Sequence, residues 1–166
     1  MSQPHELRAY EYVNRPYEAV RDALRTDAGG IFGRATTGAA TRAGSVAASL
    51  RAKIGSLEVG TDVTIEVGAI EETPNDGPFH VPTLKIPLSW KATRAPGLFP
   101  SMEAVLSVYA LSKDETQLDL RGLYRPPLGA LGAAVDTLAL SRLADASVHR
   151  FVADIAAKLS EDLAKA

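Results

Sequence analysis

The sequence predicts one α+β domain, in which a curved antiparallel sheet of about six strands wraps a long C-terminal helix, with one or two short helices after the first strand. Three observations carry this. Between Ser45 and Pro126 apolar residues recur mostly at every second position, the period of a strand. The connections there are short, whereas a parallel pair needs a crossover of about a dozen residues or more. From Leu128 to Leu163 there is no proline, and no glycine after Gly132.

Glu6 to Val13 opens the chain as a strand, with Leu7, Ala9 and Val13 alternating with Arg8, Tyr10 and Tyr12. Asn14-Arg15-Pro16 then supplies a helix start: Asn caps free N–H groups, and Pro fits a first turn where its missing N–H has no partner to lose. Tyr17, Val20, Ala23 and Leu24 follow at helical spacing, with Glu18 and Arg25 placed as the helix dipole prefers. Asp27-Ala28-Gly29-Gly30 reads as the end of that helix. Gly30 to Gly44, rich in Ala and Thr, reads as a second short helix or irregular helical turns. Gly33, Gly38 and Gly44 each weaken a helix by about 1 kcal/mol relative to Ala.

Beyond Ser45, Val46, Ala48, Leu50, Ala52 and Ile54 form one face of an expected strand, against Ser49, Arg51 and Lys53. Gly55 reads as a bulge shifting the phase to Leu57 and Val59, and Gly60-Thr61 as a tight turn. Val63, Ile65, Val67 and Ala69 make the next apolar face, and Pro74-Asn75-Asp76-Gly77-Pro78 a loop. Leu84, Ile86, Leu88, Trp90 and Ala92 oppose Lys85, Ser89 and Lys91. Pro87 among them requires an edge position or a distortion, because it cannot donate to a ladder. Ala95 to Pro100 is a second loop, and Glu103 to Leu111 with Gln117 to Tyr124 form a hairpin closed by Lys113-Asp114-Glu115.

Pro126-Pro127 stops the last strand. The helix that follows would span roughly 50 Å at about 1.5 Å per residue. Its apolar face drifts from Leu128, Leu131, Val135 and Leu138 round to Phe151, Val152, Ile155 and Leu159. Such drift calls for a bend between about Leu140 and Ser147, or for a curved surface beneath the helix.

Composition narrows the function classes. The 166 residues, 46% apolar and 23% charged, suit a single globular domain. Eighteen basic residues against twenty acidic ones give a net charge of −2, without the basic excess a nucleic-acid partner favours. The absence of cysteine excludes disulfides, thiolate nucleophiles and cysteine-ligated metals. No signal-peptide pattern and no apolar run of roughly 18 residues is present, so a soluble cytoplasmic protein without a transmembrane segment is expected. The glycine-rich stretch from Gly30 to Gly38 fits neither the dinucleotide fingerprint nor the phosphate loop, and no nucleophile elbow exists for a serine. His5, His80 and His149 are isolated, without metal-ligand spacing. No cofactor, metal or catalytic residue is therefore assigned.

Tyr12-Val13-Asn14-Arg15-Pro16-Tyr17-Glu18-Ala19-Val20 resembles the first strand and helix of the START-like helix-grip superfamily, which includes polyketide cyclase/dehydrase-like (SRPBCC) and lipid-transfer domains. Gly122-Leu123-Tyr124-Arg125-Pro126-Pro127-Leu128-Gly129-Ala130-Leu131-Gly132, followed by Asp136 and Phe151, resembles the entry to its terminal helix. The order of elements is similar along nearly the whole chain. The resemblance implies an apolar tunnel between the concave face of the sheet and the terminal helix, holding a lipid-, sterol- or polyketide-like molecule. It does not imply one activity. The residues expected to line that tunnel are Trp90, Tyr124, Tyr109, Leu88, Val108, Leu120, Leu131 and Val135.

Other residues read more simply. His80, in a loop, could act as a general acid or base, but a solvated loop histidine is the plainer reading. Strand parity turns Arg121 and Glu66 to solvent, and Asp136 suits an ion pair or the helix dipole. Leu98 and Phe99 could gate the tunnel mouth, touch a membrane transiently, or tuck against the terminal helix. The leading expectation is a non-catalytic carrier of a hydrophobic small molecule. The alternatives are a cyclase/dehydrase-type enzyme using Tyr124, Tyr109 or His80, and a closed-core module that binds a protein partner.

Overall fold

The computed structural model describes residues 4–54, 63–74, 81–92, 101–125 and 137–165; at 36–54, 63–65, 90–92, 137–144 and 147 it defines the backbone alone. The elements are β1 (His5–Val13), α1 (Tyr17–Ile54), β2 (Val63–Val67), β3 (Glu71–Thr73), β4 (Thr83–Ala92), β5 (Ser101–Ser112), β6 (Glu115–Arg125) and α2 (Thr137–Ala164). All six strands pair antiparallel in one sheet, ordered β1-β6-β5-β4-β2, with β3 also on β4. α2 packs on β1 and against α1, which also reaches β2. This is the expected helix-grip arrangement.

Alternation along the strands separates two faces. Leu7, Ala9, Val13, Leu84, Ile86, Leu88, Met102, Ala104, Leu106, Val108, Leu118, Leu120 and Tyr124 are buried toward the helices. The helices meet them with Val20, Leu24, Ile31 and Phe32 from α1, and with Val148, Phe151, Val152, Ile155 and Leu159 from α2. Phe32 and Phe151 join the two helices, their ring centroids 6.0 Å apart. The later apolar face expected of the terminal helix is therefore the buried one. The earlier face at Leu128, Leu131 and Val135 lies outside the described residues.

The helical region after β1 departs from expectation. Asp27 breaks α1 with φ −145° and ψ 45°, but the chain then resumes its helix instead of ending there. The Asp27 carboxylate accepts a hydrogen bond from the Gly30 N–H at 3.1 Å, capping the second segment. A Cβ on Gly30 would lie 2.5 Å from that carboxylate, so a side chain there would require the Asp27 side chain to shift. The expected strand over Ser45 to Ile54 is also helical, as the last part of α1. Val46, Leu50 and Ile54 recur every fourth residue as well as sitting on a period of two, and Ala48, Ala52, Arg51 and Lys53 are strong helix formers. The bulge and turn expected near Gly55 and Gly60 lie outside the described residues.

Pro87 sits inside the sheet, with the distortion placed on its neighbour. β2 pairs with Leu88 to Ala92 and β3 with Thr83 to Lys85, leaving Pro87 opposite the gap between them. Its carbonyl accepts from the Gly68 N–H at 2.7 Å. On that side the absent proline N–H removes no ladder bond. The short strand β3, not expected from sequence, is tied to α1 through Glu72. That carboxylate accepts from the Tyr17 hydroxyl at 2.9 Å and Arg25 at 2.8 Å, with Arg21 at 3.5 Å.

Candidate functional site

Cross-strand register assembles a row of residues on the helix-facing side, at one end of the sheet. Trp90 pairs with Met102, Met102 with Tyr124, and Tyr124 with His5. The next row inward is Leu88, Ala104, Gly122 and Leu7, where a side chain is nearly missing. Below it come Ile86, Leu106, Leu120 and Ala9, all buried.

Tyr124 is the chemically distinctive member. Its side chain is buried, at 2% exposure, and its hydroxyl has no hydrogen-bond partner among the described residues. Burial pushes the phenol up to about 12. It therefore stays protonated at neutral pH, an O–H donor in apolar surroundings without an acceptor. An orphaned buried hydroxyl costs about 1–3 kcal/mol, and native proteins tolerate few of them. Its chemistry at neutral pH is hydrogen-bond donation to an acceptor, because the raised pKa keeps the phenolate unpopulated.

Of the residues expected to line a tunnel, Leu88, Val108, Leu120 and Tyr124 share this helix-facing side and are buried. Trp90 occupies a register position in the same row as Tyr124, with its side chain outside the description. Tyr109 is half-buried on the opposite face, where odd-numbered residues of β5 point. Leu131 and Val135, like His80, Leu98, Phe99 and Asp136, lie outside the described residues. His5, dismissed in the sequence as isolated, stands at the open rim of the row with its ring centroid 6.4 Å from that of Tyr124. No local signal could have found it, because the pairing joins the two ends of the sheet's chain path.

Arg121 points outward, as parity required, and with Arg8 it holds a buried acid. Asp119, only 3% exposed, accepts from the Arg8 guanidinium at 3.1 and 3.2 Å and from Arg121 at 3.2 Å. Its hydrogen bond and charge raise the Arg8 pKa. On this same outer face an open groove of about 1000 Å³ crosses the strands. One wall is the row Glu66, Ser89, Glu103, Leu123 and Glu6; the other is Pro87, Val105, Arg121 and Arg8. Among the described residues, no group of three or more His, Asp or Glu side chains could hold a metal, and no helix is long and apolar enough to cross a membrane.

No family model matches the chain, and no curated protein matches it. Solved structures do. A conserved protein from Geobacillus kaustophilus aligns over 95% of this chain and 96% of its own at 16% identity, with a TM-score of 0.51. A Thermus thermophilus protein aligns over 98% and 99% at 16% identity and a TM-score of 0.48. The Zhui aromatase/cyclase from a Streptomyces species aligns over 97% and 96% at 11% identity and a TM-score of 0.49. At these identities the Geobacillus likeness speaks for the fold alone.

Proposed function

We propose that the chain binds a hydrophobic small molecule on the helix-facing side of its sheet, with a hydrogen-bond acceptor of the ligand received by the Tyr124 hydroxyl. The observation that carries this reading is the buried O–H left without a partner among the described residues, in an apolar wall. Binding sites for apolar ligands are built this way, with apolar lining and a few polar groups that fix orientation. Leu88 and Met102 supply apolar surface beside the phenol, and Trp90, in the same row, belongs to the proposed lining with Leu131 and Val135. Val108 and Leu120 are peripheral to it, and Tyr109, on the opposite face of the sheet, lies outside it. The driving force is removal of the ligand's apolar surface from water, at about 25 cal/mol per Å².

A cyclase- or dehydrase-type activity is the second reading, and His5 is what favours it. The His5 imidazole at the rim, its ring centroid 6.4 Å from that of Tyr124, sets a side chain of the type used in proton transfer near a hydrogen-bond donor at one end of the ligand. The test is titration of delipidated protein with an aromatic ketone and with the matching hydrocarbon, followed by fluorescence. The ketone is expected to bind more tightly to the wild type, and Tyr124→Phe to erase the difference. Equal affinity of wild type for both probes would sink the assignment of Tyr124. Turnover of a polyketone that depends on His5 would select the enzymatic reading.

A further inference from the structure

The outer face of the sheet carries exposed apolar and charged side chains that the ligand reading does not use. Tyr10, Tyr12, Val105 and Leu123 each leave between 37% and 51% of their surface exposed there. At the centre of the groove, four residues occupy two adjoining register pairs: Glu103 opposite Leu123, and Val105 opposite Arg121. Val105 and Leu123 lie on one diagonal of this quadrilateral. Glu103 and Arg121 lie on the other. Strands spaced about 4.8 Å apart and two-residue steps of about 6.7 Å make the figure an oblong, with diagonals of about 8 Å that cross at about 70°.

A two-fold axis along the apolar diagonal therefore brings Glu103 of one copy to within about 3 Å of the place opposite Arg121 of the other, within reach of both side chains. Val105 and Leu123 stay on the axis, each facing its own copy. That is the self-complementarity an isologous interface requires. The charges are free to use it: the Arg121 side chain is 66% exposed and shares the single Asp119 carboxylate with Arg8, leaving one positive charge over. Glu103 has no ion-pair partner among the described residues. Glu6 stands on the same wall as Glu103, opposite Leu123.

Shape agrees with the same axis. On the helix side a Cβ added to Gly122 would lie 2.7 Å from that of Ala104, so β5 and β6 turn their side chains toward each other there and the outer face is locally convex across this pair. The groove makes the outer face hollow in the other direction, along the strands. A surface hollow one way and convex the other fits its own copy after a quarter turn. The apolar diagonal lies about 36° from the strands, so an axis along it makes the strands of the two copies cross at about 70°, close to that turn and to the orthogonal class of sheet packing.

We propose that this face is a homodimer interface, two copies packing sheet on sheet with Val105 and Leu123 at the centre and Glu103 facing Arg121 of the other copy. The helix-facing side and Tyr124 stay free. Sedimentation velocity across the micromolar range is expected to show a dimer. Leu123→Asp, which sets like charges against each other on the axis, is expected to give a monomer with an unchanged circular-dichroism melt. Glu103→Lys alone should weaken self-association about tenfold, and adding Arg121→Glu should restore it. The chain has no cysteine. Mild oxidation should therefore link Leu123→Cys into a disulfide dimer while leaving off-axis Tyr12→Cys unlinked, a readout that survives if the aspartate variant misfolds. A wild type that stays monomeric, a dimer that persists in Leu123→Asp, or a Leu123→Cys protein that does not link would each overturn the proposal.

Discussion

Replacing Tyr124 by Phe separates the ligand-free protein from the loaded one. The ring of Tyr124 is 2% exposed and packs in the row with Met102, so Phe keeps the apolar contacts and deletes one oxygen. That oxygen has no partner among the described residues, and removing an unsatisfied buried hydroxyl returns about 1–2 kcal/mol of the desolvation penalty. For a chain of this size, 1 kcal/mol moves the midpoint by about 2–4 °C. Delipidated Tyr124→Phe should thus melt about 2–8 °C above delipidated wild type in calorimetry. With an acceptor-bearing ligand present, the wild type should gain more than the variant, because only its hydroxyl finds a bond. A Tyr124→Phe protein less stable than wild type by 1 kcal/mol or more would mean that the hydroxyl is already paired, and the reasoning would fail.

Three further substitutions probe the frame. In Gly122→Ala the new Cβ would meet the Ala104 Cβ at 2.7 Å and the Glu103 carbonyl oxygen at 2.8 Å, so a loss of about 1–3 kcal/mol in urea unfolding is expected. Adding Ala104→Gly should recover only part of it, since the backbone oxygen remains. Asp27→Ala removes the cap at the break in α1 and should cost about 1 kcal/mol, visible as lost helical ellipticity and a lower urea midpoint. Burial alone would raise the Glu72 carboxyl, but hydrogen bonds from Tyr17 and Arg25, with the nearby arginine charges, bring it below its ordinary 4.5. A folded value below the unfolded one means that stability is complete above about pH 4.5 and is lost as pH falls through the lowered value. Glu72→Gln should flatten the stability–pH curve in that acid window; an unchanged curve would remove Glu72 as its source.

Much of the sheet was legible because its signals are local. The alternation in β1, β4, β5 and β6 sorted core from surface, and Lys113-Asp114 marked the tight turn between β5 and β6. The helix over Ser45 to Ile54 was not legible, since residues spaced by four satisfy both periods and alanine suits either face. β3 is three residues long and exists through its pairing with β4 and the Glu72 contacts to α1, neither of which a short window contains. The candidate site was half visible. Tyr124 stood out as an aromatic with a polar tip on an apolar face, whereas its unpaired hydroxyl and its neighbour His5 depend on how β1 closes onto β6. The outer groove was invisible for the same reason: parity turned Arg121 outward, but only register sets it beside Val105 and diagonal to Glu103.

The most direct measurement labels the five tyrosines with carbon-13 and follows them by NMR while an aromatic ketone is added. Tyr124, on the helix-facing side, should move and saturate, while Tyr10 and Tyr12 on the outer face stay where they are. Movement of the outer pair with a stationary Tyr124 would contradict the account and send the ligand to the other side of the sheet.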